Sequence, residues 1–276
     1  MTGHERIDPT ERAHLLDEEG YTPPIFRYLP GPGMTDLVRR YWVPIWSMPP
    51  ETSTVQRVLQ YPVCLLVVSH EYAVMVGPDT GLGRQELSGE GWAVGVMLQP
   101  AAGAMLLGGP VSGLTDRRML LEDVAGLDGA ALTGGVRAAM AAAPGEESSH
   151  RAALAQVEQA LLAVGPVDDE GVLVNDIVAF VEDRSDVQRV GQICDAFGLG
   201  ERALQRLTAR RIGLSPKWLV HRRRLHEAAE RLRAGVRVDL AGVAAELGYA
   251  DQAHFTRDFR TVTGLTPGAF AAERRE

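Results

Sequence analysis

The sequence predicts an α+β fold: an N-terminal β-rich mixed domain, followed by an all-α domain of two helix-turn-helix units joined by a long helix. Three observations carry this reading. Short runs of β-branched and aromatic residues, punctuated by Gly, Pro and Asp, crowd residues 41–98 and almost vanish after residue 165. From Pro100 onward, apolar residues recur at helical spacing. The last hundred residues then repeat themselves at an offset of 50 to 51 positions. With 276 residues, 45% of them apolar, the chain can build two cores.

In order along the chain, residues 1–24 read as a mobile leader. Met1 to Gly20 are polar and acidic without an apolar stretch, which argues against a secretory signal. Strand-like runs follow at Tyr41 to Trp46, Arg57 to Gln60, Val63 to Ser69, Tyr72 to Val76 and Trp92 to Leu98, with turns at Gly77-Pro78-Asp79 and Gly81-Leu82-Gly83. Ala101 to Leu107, Leu127 to Ala143 and Arg151 to Val164 read as helices. Gly165 to Gly171 is the candidate hinge. It divides a β-rich N-terminal part, 25–165, from an all-helical C-terminal part, 172–272. No apolar run approaches the roughly 20 residues that span a bilayer, so the expected setting is soluble and cytoplasmic, with no membrane partner. Cys64 and Cys194 stand far apart in apolar surroundings and read as two buried thiols of a reducing compartment.

The repeat has a physical reading. Val190, Ile193 and Phe197 form the apolar stripe of one short helix; Leu240, Val243, Ala244 and Leu247 form that of its counterpart. Gly198 and Gly248 follow where a left-handed backbone ends a helix at little cost. After a turn of three or four residues, second helices begin at Glu201 and Asp251. Ala203, Leu204 and Leu207 in one, and Phe255 and Phe259 in the other, mark the face that buries. The opposite faces offer Arg202, Gln205 and Arg206, and Gln252, Thr256 and Arg257. These are side chains able to pair with base edges in a major groove, Arg with guanine and Gln with adenine. His254 lies on the same second helix and points to DNA or phosphate more than to metal. Ser215-Pro216 and Thr266-Pro267 supply an N-cap and first-turn proline for the helices that follow. Between the units, Lys217 to Ala234 reads as one long helix of roughly 27 Å, a connector suited to fixing two recognition helices about 34 Å apart. Its Arg222, Arg223 and Arg224 would face phosphates, if DNA at all.

Charge supports this division. Residues 199–261 hold 13 Lys and Arg against 7 Asp and Glu, so a segment of +6 sits in a chain of net charge −8. A solvated helix surface would look the same on charge alone.

The spacing Gly198-Leu199-x-x-Arg202-x-Leu204-Gln205-Arg206-Leu207, with Gly213 to Trp218, Arg224-Leu225-x-x-Ala228, and above all Leu247-Gly248-Tyr249-x-Asp251-Gln252-x-His254-Phe255-x-Arg257-x-Phe259-Arg260 and Gly264-x-Thr266-Pro267, resembles the AraC/XylS DNA-binding domain over about 172–272. One departure is Thr208, where that family commonly carries an aromatic. The resemblance implies a transcription regulator with double-stranded DNA as its partner and RNA polymerase, a small-molecule effector or a second copy of itself as further candidate partners. It implies no enzyme activity, cofactor or metal. Gln56-Arg57-Val58-Leu59-x-x-Pro62, Gly95-Val96 with Pro100, and Gly108-x-Pro110-Val111-x-x-Leu114-Thr115-Asp116-Arg117 resemble an uncharacterised domain often found upstream of such units, which names no ligand.

Trp42, Trp46, Trp92, Tyr61, Tyr72 and Met97 could line an apolar pocket, although for any one of them the aromatic core of a small β domain is the stronger explanation. Two alternatives compete with the regulator. A nucleoid-type binder would hold DNA without reading sequence, but two intact recognition faces argue against it. A DNA-repair protein would need an accessible, low-pKa cysteine, and Cys64 lies in the apolar run Pro62 to Val68. His226-Glu227-Ala228-Ala229-Glu230 lacks the second histidine of a zinc-protease helix.

Overall fold

The computed structural model describes residues 14–15, 21–234 and 239–272. Nine strands fill the N-terminal half: β1 (His14–Leu15), β2 (Ile25–Tyr28), β3 (Val38–Ser47), β4 (Ser53–Val58), β5 (Leu65–Ser69), β6 (Ala73–Val76), β7 (Gly83–Ser88), β8 (Glu90–Leu98) and β9 (Arg118–Leu120). They form a six-stranded sheet of order β2-β3-β8-β5-β6-β9 and a three-stranded sheet of order β1-β4-β7, with every pairing antiparallel. Part of the expected leader is therefore a strand: His14 and Leu15 pair with Val58 and Arg57. Residues 1–13 and 16–20 of that leader lie outside the described residues.

Side chains along the larger sheet alternate between two environments, as the two-residue period of a strand dictates. Tyr41, Val43, Leu66, Val68, Met75, Val94 and Val96 face a core closed by three helices, α1 (Pro100–Leu107), α2 (Gly129–Met140) and α3 (Glu147–Leu162). Leu132, Val136, Leu154 and Val157 meet them there. Trp42, Pro44, Trp46, Leu65, Val67, Val74, Ala93 and Met97 face the other way, toward the three-stranded sheet, and line a cavity between the sheets.

The C-terminal half contains α4 (Asp169–Asp183), α5 (Val190–Phe197), α6 (Glu201–Arg211), α7 (Pro216–Ala234), α8 (Leu240–Glu246), α9 (Gln252–Thr263) and α10 (Pro267–Ala272). It has two cores. Val174, Ile177, Val178 and Val181 of α4 pack with Ile193, Leu204, Leu207, Leu219 and Val220 around the first unit. Leu225, Ala228, Ala229 and Leu232 of α7 pack with Ala244, Leu247, Phe255, Phe259 and Phe270 around the second. Leu59, from the N-terminal half and fully buried, joins this second core, and Leu82 packs against it.

The segment read as a hinge is held rather than free. Asp168 caps α4 by accepting from Gly171 N at 2.7 Å. Arg211 pairs with both Asp168 and Glu170, and Arg210 with Glu170. The two halves meet through further bonds. Arg39 pairs with Glu182. Asn175 Oδ1 accepts from Ala101 N at 2.9 Å, and Thr115 Oγ1 donates to Gly213 O at 2.8 Å. Among the described residues, no helix is long and apolar enough to cross a membrane.

Candidate nucleic-acid interface

Each unit is built by the same local rules. Helix α5 ends at Gly198, whose φ of 64° lets its N–H reach Cys194 O. Gln192 braces the start of that helix, accepting from Gln188 N at 2.8 Å and Arg189 N at 3.0 Å. In the second unit Gly248 takes φ 75°, and Asp251 caps α9 by accepting from His254 N at 2.7 Å. Ser215 and Thr266 accept from the N–H groups of Trp218 and Ala269, capping α7 and α10.

Both second helices divide cleanly between core and solvent. Leu204, Leu207 and Thr208 bury on α6, and Phe255, Phe259 and Thr263 on α9. Arg202, Gln205, Arg206, Gln252, His254 and Arg257 are exposed, and Thr256 is half-buried. Gln205 makes a weak 3.4 Å bond to Glu201, one turn back. The His254 ring stands edge-on to Tyr249 at 5.3 Å, and Tyr249 donates to Asp258 Oδ2 at 2.6 Å, so His254 leans on a fixed support.

The arginines fall into two classes. Arg202, Arg206 and Arg257 are exposed, and no hydrogen bond or ion pair holds them among the described residues. Arg260, three residues after Arg257 and on the same helix face, shares that state. The reading of base-facing groups passed over it, although the i, i+3 spacing points to it. The connector arginines are different, and the expectation that they face phosphates is corrected here. Arg222 is 2% exposed and donates through Nη2 to the carbonyls of Thr80 at 3.0 Å and Gly81 at 2.8 Å. Arg223 pairs with Glu227 at 2.6 Å and donates to Val187 O. Arg224 donates to Gln188 O at 2.7 Å, and Arg231 bridges Glu227 and Glu246. These side chains are consumed inside the protein.

A helix-turn-helix domain family matches residues 193–273, and a domain of unknown function (DUF6597) matches residues 26–120. The chain is a DNA-binding transcription regulator that carries a helix-turn-helix domain. Among solved structures it resembles the C-terminal domain of AraT, a response regulator from Geobacillus stearothermophilus. That match has 20% identity and a TM-score of 0.35, and covers 39% of this chain and 89% of that one. It also resembles ToxT from Vibrio cholerae O395, at 12% identity and a TM-score of 0.42 over 84% of this chain and 97% of that one. An unsaturated fatty acid-bound ToxT from strain SCE256 gives 12% identity and a TM-score of 0.39, over 94% and 92% of the two chains. The assignment rests on the domain match and the paired units, not on these distant likenesses. It makes the chain a DNA-binding protein of transcription rather than an enzyme.

The regulator's second notable feature is the cavity between its sheets, about 390 Å³ in volume. Trp42, Trp46, Tyr61, Tyr72 and Met97 line it, as the sequence allowed. Trp92 does not. It lies one residue out of phase with Ala93 and Met97 and so falls on the helix-covered face of β8. Gly95 is what lets Trp42 lie flat on the sheet, because a Cβ there would run into the indole ring. The rim carries Arg84, Arg117 and Arg118, all exposed, beside Asp79 and Asp116. Both carboxylates are engaged: Asp116 accepts from Thr80 N at 2.7 Å, and Asp79 from Gly81 N at 2.9 Å.

The Cys64 thiol does not suit covalent chemistry. Burial pushes Cys64 up to about 12, with its sulfur packed against Gly103, which keeps it a thiol at neutral pH. Cys194 is half-buried, not buried as expected.

Proposed function

We propose that this regulator reads a specific operator through Arg202, Gln205 and Arg206 in one major groove and Gln252, His254, Thr256 and Arg257 in the next. Residues 172–272 act as the DNA-binding domain, and 25–165 as a domain that modulates it. The observation that carries the reading is the pair of exposed, uncommitted arginines at equivalent positions, Arg206 and Arg257, on faces opposite buried Leu204 and Phe255. Arginine left without an internal partner is free to pair bidentately with guanine O6 and N7.

The modulating signal is a small apolar or aromatic molecule held between the sheets. The cavity falls in the size range of ligand sites, with aromatic and aliphatic walls beneath a charged rim. Its arginine rim favours a ligand with one acidic group. A homodimer formed through 25–165 and a contact with RNA polymerase complete the proposed partners.

The test is selection of bound duplexes from random DNA, then binding of Arg257→Ala and Arg206→Ala to the selected site and to scrambled DNA. Each variant should lose about 1–3 kcal/mol on the site alone and relax preference at one or two base pairs. An unchanged ratio of specific to scrambled affinity would remove α9 from the groove and favour a non-specific binder.

A further inference from the structure

The cavity and the connecting helix α7 share one wall. The chain leaving β4 presents Val58 and Gln60 to the cavity while Leu59, between them, points the other way into the core of the second helix-turn-helix unit. Tyr61 lines the cavity, and its ring stacks on His226 of α7 at 4.3 Å and 19°. The loop from β6 to β7 repeats the pattern. Gly77, Asp79 and Gly83 line the cavity, Leu82 packs on the second unit's core, and the outward carbonyls of Thr80 and Gly81 accept from Arg222 of α7. Trp218, also on α7, donates to Thr80 O at 3.3 Å and lies under the Arg222 guanidinium at 4.4 Å.

The Arg222 contact is poorly satisfied. Nε and Nη1 are buried without a hydrogen-bond partner, among the described residues no carboxylate forms an ion pair with the charge, and desolvation, opposed by the more distant Asp79 and Asp116, lowers its pKa to about 10. A desolvated cation held mainly by backbone carbonyls makes a tunable contact, since small shifts of the loop change its energy strongly.

Resting on the reading of the cavity as an effector site, we infer that ligand binding and docking of the DNA-binding domain are coupled positively through this wall. The two segments, 58–61 and 77–83, are held on one side by α7 and would be held on the other by a ligand. The conformation in which the cavity is open is also the one in which Arg222, Trp218, His226 and Leu59 are seated. A ligand complementary to that cavity selects the docked arrangement, and seated α7 in turn pre-forms the site, as linkage requires. The effector would thus set the freedom of α7, the element that spaces the two recognition helices.

Two measurements on the full chain test this. The first needs no ligand. Arg222→Met keeps the packing volume and removes the carbonyl contacts, and Trp218→Phe removes only the indole N–H. Hydrogen exchange should accelerate about threefold or more in 77–83 and also across the cavity in β5 and β6, with unchanged circular dichroism. The second uses 8-anilinonaphthalene-1-sulfonate, an aromatic anion, as the probe. Its affinity should fall about fivefold or more in Arg222→Met, and its binding should slow exchange in 216–234 of the wild type. Faster exchange confined to 77–83 and α7, or probe affinity unchanged in both variants, would overturn the coupling. Val74→Phe, which fills the cavity, should abolish probe binding. If it does not, the cavity fails as the ligand site, while the exchange result still decides whether the wall is shared.

Discussion

Leu59→Ala places a lesion in the N-terminal domain whose main effect should appear in the second helix-turn-helix unit. Leu59 is fully buried among Leu225, Ala228, Ala229, Leu232, Phe255 and Phe259. Truncation removes the transfer energy of its lost carbons and leaves a hole, a combination that costs about 2–5 kcal/mol in protein cores. Ala228, Ala229 and Ala244 cannot extend into the space, and the aromatic rings are fixed edge-on to one another, Phe255 to Phe259 at 5.8 Å and Phe259 to Phe270 at 5.3 Å. Little collapse is available, so the expected loss lies near 3 kcal/mol or above. Set against a typical total of about 5–15 kcal/mol, that is a large share. Urea unfolding gives the size of the loss, and segment-resolved hydrogen exchange gives its location. Protection should fall in 225–232 and 252–263 by at least as much as in β4. A loss below about 1 kcal/mol, or one confined to the strands, would show that Leu59 does not belong to the second unit's core.

Asp251→Ala removes the cap that accepts from His254 N; it should cost about 1 kcal/mol of stability and weaken operator binding more than scrambled binding, read by thermal melting and titration. Gly95→Ala drives a methyl into the Trp42 ring; the Trp42 fluorescence should shift and probe binding in the cavity should fall, whereas an unaltered spectrum would mean the ring is not held there. Native Cys64, held near 12, is almost wholly protonated at pH 8 and should resist iodoacetamide until urea exposes it, with Cys194 reacting first; rapid labelling of Cys64 in the native chain would reopen the repair-cysteine alternative.

What the sequence disclosed follows from which signals are local. The paired units were legible because helix stripe, glycine turn and Thr-Pro or Ser-Pro cap each rest on a few neighbouring residues. The run Arg57 to Gln60 meets the polar strand β4 (Ser53–Val58) only at Arg57 and Val58, but the other four of the five strand runs were legible for the same reason. Strand β7, Gly-Arg-Gln-Glu-Leu-Ser, was not. It lies in the small sheet with three residues exposed and only Gly83 and Leu87 buried, so composition hides it. Which of pocket and core takes Trp92 was not legible, because aromatic character says nothing about phase; only the pairing of β8 assigns it to the core face. The seam between domains was invisible for a different reason. Asp168, Glu170, Gly165 and Gly171 have the composition of a linker, and only the tertiary approach of Arg210 and Arg211 turns them into a corner.

The arginines carry the same lesson into function. A segment of net +6 reads as a polyanion-binding surface, and the domain does bind DNA, yet the charge count overstates the footprint. Arg210, Arg211, Arg222, Arg223, Arg224 and Arg231 are spent on carboxylates and carbonyls of the protein itself. Among the described residues of this segment, the arginines exposed without an internal partner, Arg202, Arg206, Arg257 and Arg260, stand on the two second helices. Charge concentrated there, with the connector's charge turned inward, favours reading bases over gripping backbone. Arg223, Arg224 and Arg231 tie α7 to its own C-terminal half, while Arg222 fixes it against the N-terminal domain. That contact is where the proposed coupling would make the spacing helix answerable to the cavity wall.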